Sequence, residues 1–151
     1  MIIDFEHFAD ERSFLTNVVA ISGGFDPLHV GHVRYIQEAM MLGTHLIAIV
    51  NGDSFLERKK KFKFMPLAER MEIVDAIKGV DYTIGYESDD QTVIGALLKI
   101  RPNIFAKGGD RTGPENIPEW DICQKIGCKI VTGVGGGKIQ SSSDLVNNVR
   151  G

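Results

Sequence analysis

The stretch Gly23–His32 reads Gly-Gly-Phe-Asp-Pro-Leu-His-Val-Gly-His, and it joins an apolar run to a helix-like segment. The apolar run, Val18–Ile21, predicts a strand, so we expect a strand, a glycine turn and a helix start in succession. A helix start offers unpaired N–H groups and partial positive charge, which together favour a bound anion. The stretch therefore predicts a strand–turn–helix unit whose turn holds a phosphate.

The two histidines of this stretch favour chemistry over simple packing. His29 and His32 are three residues apart and share one face of the first helical turn. Gly31 leaves room for a bulky anion, while Gly23 and Gly24 allow a close approach of the backbone. Imidazole donates hydrogen bonds near neutral pH and can carry charge, so two such donors can stabilise a reacting phosphate. A single histidine at a helix start is often only a cap, but here two of the chain's four histidines flank one glycine.

Apolar runs alternate with helix-like segments along the chain, which predicts βαβ units and a parallel sheet. The predicted strands are Asn17–Ser22, His45–Asn51, Asp81–Tyr86, Asn103–Lys107 and Lys129–Val134. The predicted helices are Gly31–Leu42, Pro66–Lys78, Gln91–Ile100, Ile117–Ile126 and Ser142–Val149. We expect one α/β domain with a five-stranded parallel sheet over residues 17–151, preceded by an arm or short helix at residues 1–16.

Composition excludes several classes of function. The 151 residues carry a formal net charge of −3, which does not suggest extensive binding to nucleic acid. No apolar stretch approaches the roughly 18 residues that a membrane helix needs, and the acidic start lacks the basic segment of a signal peptide. A cytoplasmic protein is therefore expected. Cys123 and Cys128 lack the spacing of a zinc site and are expected to be buried free thiols.

Parallel sheets bind ligands beyond the carboxyl ends of their strands, and several motifs fall at that predicted edge. They are His29, the loop after Asn51, the Gly108–Gly109 turn and the Gly135–Gly137 turn. The basic run Arg58–Lys63 follows the second strand and is expected to be a flexible loop that closes on a polyphosphate. A solvated surface loop and a nucleic-acid patch are the alternatives for this run.

Two further segments could serve the same ligand. The helix that starts near Pro66 carries Arg70, which could grip a phosphate or could pair with Glu69 or Glu72 at the surface. The serines at 141–143 precede the last predicted helix, and they serve either as N-caps or as a second anion site.

The segment Lys107-Gly108-Gly109-Asp110 follows the fourth strand. It is either an ordinary turn or a place where a carboxylate accepts hydrogen bonds from a ribose. Taken with the other motifs, it makes the chain resemble the cytidylyltransferase-like nucleotidyltransferase superfamily, whose His-x-Gly-His signature stands at His29–His32. The resemblance extends from about Asn17 to Val149. Within the superfamily, the chain looks most like heptose-phosphate adenylyltransferase domains and is similar to glycerol-3-phosphate cytidylyltransferase.

The resemblance implies a Rossmann-like domain and a reaction in which a substrate phosphate attacks the α-phosphorus of ATP or CTP, releasing pyrophosphate. The expected acceptor is a sugar phosphate such as a heptose phosphate, and adenylyl transfer is favoured. The alternatives are cytidylyl transfer to a polyol or amino-alcohol phosphate, adenylyl transfer to flavin or nicotinamide mononucleotide, and a non-catalytic nucleotide-binding module. Mg²⁺ is expected to arrive with the triphosphate, and relatives suggest a homodimer.

The same resemblance implies roles for individual residues. The catalytic set is His29, His32, Lys59, Lys61 and Arg70. The nucleotide-binding set is Gly23, Gly24, Phe25, Asp26, Gly31, Lys78, Lys107, Gly109, Asp110, Ser141, Ser142 and Ser143. No residue is expected to bind a metal by itself. The chain departs from the family pattern at Gly136, where cytidylyltransferases place an arginine nearby, and in its Ser-Ser-Ser run, where Ser-Thr-Thr is usual.

Overall fold

The computed structural model describes residues 1–109 and 111–136. Within them the strands are β1 Val18–Gly23, β2 His45–Asn51, β3 Tyr82–Tyr86, β4 Ile104–Gly108 and β5 Lys129–Val134. The helices are α1 Phe5–Arg12, α2 Val30–Ala39, α3 Asp53–Lys60, α4 Leu67–Asp75, α5 Ile94–Ile100 and α6 Trp120–Ile126, with a 3-10 turn at Met40–Leu42. The predicted helix Ser142–Val149 and the predicted site residues Asp110 and Ser141–Ser143 lie outside the described residues.

The strands form one sheet in the order β3-β2-β1-β4-β5, and every pair is parallel. The chain builds outward from β1 to β3 and then returns to place β4 on the other side of β1. The connections on either side of β1 therefore run in opposite directions, which opens a crevice at the carboxyl ends. The predicted α/β fold with a five-stranded parallel sheet is confirmed.

Helices cover both faces of the sheet, because alternate residues of each strand point to opposite sides. Ile47 and Ile49 pack in the core layer formed with α1, α5 and α6, which we call the first face. Ala48 and Val50 pack in the layer formed with α2 and α4, which we call the second face. A strand buried on both sides reads as a continuous apolar run, which explains why β2 has the bounds that the sequence predicts.

The residues before β1 are part of the packed structure. Asp4 caps α1 by accepting a hydrogen bond from the His7 backbone N–H at 2.8 Å. Phe8 is fully buried on the first face, and its ring packs edge-on against Tyr82 with centroids 5.3 Å apart. Ile2 forms a parallel bridge with Thr83 on the outer side of β3. These contacts anchor α1 against the sheet and shield part of an edge strand.

The prediction of a flexible loop over Arg58–Lys63 is wrong for its first half, because α3 extends to Lys60. Asp53 lies in the first turn of α3 and cationic residues fill its last turn, so the charges complement the helix dipole at both ends. Phe55 and Leu56 are buried and anchor the helix to the body of the protein. Lys61 ends α3 in the left-handed conformation, with φ at 69°.

The end of α6 places two cysteines side by side. Gly127 has φ at 73°, and the N–H of Cys128 donates to the carbonyl of Cys123 at 2.8 Å. This is a Schellman ending, which brings together the side chains that flank the helix terminus. Both thiols are buried and free, as the sequence predicts. None of the helices in the described part of the chain has the length and apolar character needed to cross a membrane.

Candidate functional site

The Gly23–His32 stretch leads from β1 into α2, and its histidines cap that helix reciprocally. His29 is the N-cap, and its Nδ1 accepts a hydrogen bond from the Gly31 N–H at 3.1 Å. The Nδ1 of His32 accepts from the backbone N–H of His29, also at 3.1 Å. The pair thus satisfies two donors at the helix start, as a capping box does with other side chains.

These two hydrogen bonds fix where each imidazole carries its proton. Because both Nδ1 atoms accept, each neutral ring must hold its hydrogen on Nε2. The rings lie 3.9 Å apart between centroids and are tilted by 31°. The Nε2 of His29 is buried and has no hydrogen-bond partner in the described structure. An unpaired buried donor costs about 1–3 kcal/mol, so an anionic oxygen placed there would be strongly favoured.

Both imidazoles are neutral at physiological pH. Burial lowers the pKa of His29 below its ordinary value. Burial, followed by the charges of His29 and Lys60, lowers the pKa of His32 from 6.5 to about 3. The expectation that these histidines can readily carry charge is therefore wrong, because the site holds them as neutral Nε2–H donors.

Asp26 ties the histidine turn to the segment between α3 and α4. Its carboxylate is buried and accepts hydrogen bonds from the N–H groups of Phe64 at 2.5 Å and Met65 at 2.7 Å. The Lys60 ammonium donates to the Asp26 carbonyl at 2.7 Å and lies 3.5 Å from its carboxylate. Asp26 is thus occupied in holding two segments together.

Lys60, at the end of α3, lies close enough to the histidine turn for its charge to act on His32. Its side chain is only 7% exposed, and its charge acts on His32. Lys61 is exposed, while the Lys59 Nζ lies 6.0 Å from the Phe55 ring centroid. The family resemblance assigns catalytic roles to Lys59 and Lys61, and Lys60 is not among the residues it indicates. Helical periodicity is the signal that could have found it, since consecutive residues of α3 point in different directions.

Arg70 is completely buried and binds the ends of two strands. Its Nε donates to the Met65 carbonyl at 2.9 Å. Its Nη1 donates to the carbonyls of Gly24 at 2.9 Å and Asn51 at 2.5 Å. Its Nη2 donates to Asp53 at 2.7 Å. The surface pairing considered for Arg70 is wrong, because the guanidinium holds β1, β2 and the start of α3 in place from inside.

Asp53 stays ionised as the partner of that guanidinium. Burial alone raises the pKa of its carboxyl, but hydrogen bonds and charges from Arg70 and Lys63 outweigh burial and hold the pKa below its ordinary value. The Nζ of Lys63 lies 3.2 Å from the Asp53 carboxylate. The ion pair between the buried Arg70 and Asp53 therefore lies beneath the candidate site.

The glycines and Phe25 shape the turn. A Cβ on Gly24 would come within 2.6 Å of the Leu56 side chain on α3, so Leu56 would have to shift to admit a larger residue. Phe25 has φ at 52° and is buried, with its ring edge-on to His32 at 5.1 Å between centroids. Gly23 is the last residue of β1. The turn is thus built to bring α3 close over the histidines.

Lys107 reaches the carboxyl edge from β4, whereas Lys78 does not reach it. Lys107 lies on the first face, with its Nζ 5.0 Å from the Phe105 ring centroid. Burial lowers the pKa of Lys107, with help from the charges of Arg111 and Lys59 and against the opposing charge of Glu119. Lys78 follows α4 and precedes β3, so it lies at the amino ends of the strands.

Glu119 and Asn51 are site candidates that the sequence reasoning missed. The Oε2 of Glu119 accepts from the Val93 N–H at 3.0 Å, while its Oε1 is buried without a partner in the described structure. The Oδ1 of Asn51, at the end of β2, is likewise buried and unpartnered there. Gly109, just beyond β4, has φ at 63°. No local motif marks Glu119 or Asn51, since tertiary packing alone buries them.

Comparison with known proteins places this geometry in a family. A family model described as cytidylyltransferase-like matches residues 20–127, which include the histidine turn, α3, α4 and Lys107. The chain belongs to the cytidylyltransferase-like family. The resemblance seen in the His-x-Gly-His signature is thereby confirmed.

Individual relatives agree with that assignment. The chain is 36% identical over 127 residues to the bifunctional protein HldE of Coxiella burnetii, covering 82% of this chain and 26% of that protein. It is 39% identical over 104 residues to the bifunctional protein HldE of Methylococcus capsulatus, covering 68% of this chain and 20% of that protein. The chain therefore spans only 26% and 20% of the length of these two relatives.

A solved structure shows the same architecture. The lipopolysaccharide core biosynthesis protein from Thermoplasma volcanium GSS1 superposes with a TM-score of 0.65 at 28% identity. The match covers 76% of this chain and 93% of that chain. The similarity thus spans nearly the whole of a protein of comparable size.

Proposed function

We propose that this protein is an adenylyltransferase that couples ATP to a sugar phosphate, such as a heptose phosphate, and releases pyrophosphate. The observation that carries the proposal is the buried Nε2–H of His29, which has no partner in the described structure. It lies at a helix start next to a second neutral imidazole. Family membership supports nucleotidyl transfer. The likeness of the segment Lys107–Asp110 to heptose enzymes supports the adenylyl donor and the sugar phosphate.

The reaction is an in-line displacement at phosphorus. An oxygen of the acceptor phosphate attacks the α-phosphorus of ATP, and a new P–O–P bond forms. The bond between the α-phosphorus and the oxygen that bridges to the β-phosphate breaks, and pyrophosphate leaves with that electron pair. Little covalent chemistry falls to the protein, so positioning and charge stabilisation supply the rate.

The chain's own residues supply that stabilisation. His29 and His32 donate from Nε2 to the oxygens around the α-phosphorus, where negative charge develops. Lys60 adds a positive charge beside His32. Arg70 acts through the backbone, because it holds the ends of β1 and β2 that carry these groups.

Mg²⁺ is proposed to arrive with the triphosphate. Over residues 1–109 and 111–136, no group of three or more His, Cys, Asp or Glu side chains could hold a metal ion. The Asp26 carboxylate is already occupied by two N–H groups and an ammonium. These residues fit an ion bound mainly by phosphate oxygens, where it would neutralise charge on the leaving group.

Pyrophosphate release tests the proposal. The purified chain is incubated with ATP or CTP and with a panel of acceptors: heptose 1-phosphate, glycerol 3-phosphate, phosphocholine, flavin mononucleotide and nicotinamide mononucleotide. We expect release with ATP and heptose 1-phosphate, and loss of release in the His29→Asn variant. Release with CTP and glycerol 3-phosphate or phosphocholine would instead establish the cytidylyl alternative. Release with ATP and either mononucleotide would establish adenylyl transfer to flavin or nicotinamide mononucleotide.

A non-catalytic nucleotide-binding module is the remaining alternative. It predicts that ATP or CTP binds while no acceptor elicits pyrophosphate. We also propose a homodimer on the family resemblance, and sedimentation equilibrium measures its mass directly.

A further inference from the structure

Two unpartnered acceptors and two lysines converge at the carboxyl end of the first face. Ile47 and Ile49 point to that face, so alternation along β2 places Asn51 there as well. The same alternation along β4 places Lys107 on this face with Phe105. The Lys107 Nζ lies 5.0 Å from the centroid of the Phe105 ring. This end of the first face lies across the sheet from α2, which packs on the second face.

Glu119 joins the cluster from the helical layer. Its Oε2 is bound to the Val93 N–H just before α5, which packs on the first face. Its charge acts on Lys107, and the charge of Lys59 from α3 acts on Lys107 as well. The ends of β2 and β4 and the segment before α6 therefore meet at this edge, with the charge of Lys59 from α3 close enough to act on Lys107.

Buried polar atoms without partners indicate which chemical groups a ligand at this edge would supply. Asn51 and Glu119 are 5% and 4% exposed, yet Oδ1 of one and Oε1 of the other have no hydrogen-bond donor in the described structure. Buried acceptors of this kind need donors, because leaving them unpaired is costly. Hydroxyl groups are neutral donors that could fill both positions. The ammonium groups of Lys107 and Lys59 disfavour a cation there and favour an anion.

We propose that Asn51, Glu119 and Lys107 form the acceptor subsite, and that they select a phosphate monoester carrying several hydroxyl groups. The Asn51 Oδ1 and Glu119 Oε1 accept hydrogen bonds from sugar hydroxyls, and Lys107 attracts the phosphate. The proposal rests on the proposed function, because nucleotidyl transfer requires a phosphate acceptor next to the α-phosphorus. It adds which residues distinguish a sugar phosphate from other phosphates.

Equilibrium binding to the full chain tests the subsite without relying on turnover. Calorimetry measures the affinity of heptose 1-phosphate, glycerol 3-phosphate and inorganic phosphate. We expect heptose 1-phosphate to bind most tightly and inorganic phosphate most weakly. Glu119→Gln keeps an oxygen for the Val93 N–H but replaces the second acceptor with a donor. This variant should lower the affinity for heptose 1-phosphate by about tenfold to a hundredfold, while the affinity for inorganic phosphate should not change.

Matched variants separate recognition from folding. Asn51→Leu should act like Glu119→Gln, whereas Asp121→Asn, an exposed change on α6, should bind every probe as the wild type does. Thermal melting checks that each variant is folded. If either buried variant is unfolded, Lys107→Met takes its place. This variant should lower the affinity for all three probes, because it removes the charge that attracts phosphate.

The outcomes distinguish the subsite from the reaction. Unchanged binding of heptose 1-phosphate in the folded variants would overturn the subsite, as would wild-type protein that binds it no better than inorganic phosphate. If the subsite variants lose binding as expected but wild-type protein releases no pyrophosphate with ATP, the subsite stands and the proposed reaction fails.

Discussion

At the residue scale, His29 caps a helix with one ring nitrogen and carries the proposed chemical role on the other. Its Nδ1 caps α2, while its Nε2 faces a position that no described group fills. A substitution that keeps the first task and removes the second can therefore separate folding from catalysis. Asparagine does this, because its side-chain oxygen is an excellent N-cap acceptor but does not extend to the Nε2 position.

We expect His29→Asn to lower kcat by about 10²- to 10³-fold with little change in stability. His29→Ala should lose similar activity and also about 1 kcal/mol of folding free energy, because the cap is lost. Pyrophosphate release and urea unfolding measure the two effects. Near-wild-type turnover in His29→Asn would show that Nε2 plays no part in the transition state.

The suppressed basicity of His32 predicts a pH dependence of stability. Its pKa is about 3 in the folded protein and 6.5 in the reference state, so the unfolded chain binds more protons between these values. The free energy of unfolding should therefore fall as the pH drops from about 6.5 towards 4. Urea unfolding at several pH values should show a shallower fall for His32→Gln than for the wild type, since glutamine does not titrate.

Parallel curves for the two proteins would contradict that prediction. Groups distant from His32 contribute equally to both proteins, so the difference between the curves reports His32 together with its interaction with His29. The comparison is independent of any assay of activity.

At the element scale, the site depends on segments held together through the backbone. Arg70 of α4 binds the carbonyls of Gly24 just after β1, of Asn51 at the end of β2, and of Met65 before α4. Asp26 binds the same connection from the histidine turn. The two residues form a brace that keeps α3 over the turn.

Arg70→Met should destabilise the fold by about 3–5 kcal/mol, because it leaves Asp53 and three carbonyls without their donor. Arg34→Met on the exposed side of α2 is the matched control and should change stability by less than about 0.5 kcal/mol. Urea unfolding measures both variants. Equal stabilities would mean that the brace is dispensable.

Adjacent lysines at the end of α3 should differ sharply. Lys60→Met removes the charge beside His32 and the hydrogen bond to Asp26, so kcat/KM for ATP should fall at least about tenfold. Lys61→Met changes an exposed side chain and should stay within about twofold. A larger loss in Lys61→Met than in Lys60→Met would instead support the catalytic role that the family resemblance implies for Lys61.

The elements and residues that could be predicted from the sequence share a physical reason. The strand His45–Asn51 is predicted with its observed bounds, because burial on both faces leaves a continuous apolar run. The helix α3 was missed, because its charged last turn looks like solvated loop when read alone. The burial of Arg70 was unpredictable for another reason: its partners are mostly backbone carbonyls distant in sequence, which no side-chain pattern reveals.

At the scale of the whole molecule, a ligand at the histidine turn should stabilise the entire fold. The turn contacts both strand ends and the brace, so binding to the folded state alone shifts the unfolding equilibrium. A non-hydrolysable ATP analogue at about 100 times its Kd should add about 2.7 kcal/mol. For a domain of this size that amount raises Tm by several degrees. Differential scanning calorimetry should show the rise in the wild type and a smaller one in His29→Asn.

The paired thiols at the end of α6 provide a probe of local opening in this part of the molecule. Both are sealed in the first-face core, so a water-soluble thiol reagent can modify them only when α6 and β5 part. The labelling rate in native buffer would then measure how often that half of the domain opens. Since α6 begins directly after Glu119, a bound acceptor should lower the rate of thiol labelling. The rate should be higher when the proposed subsite is empty.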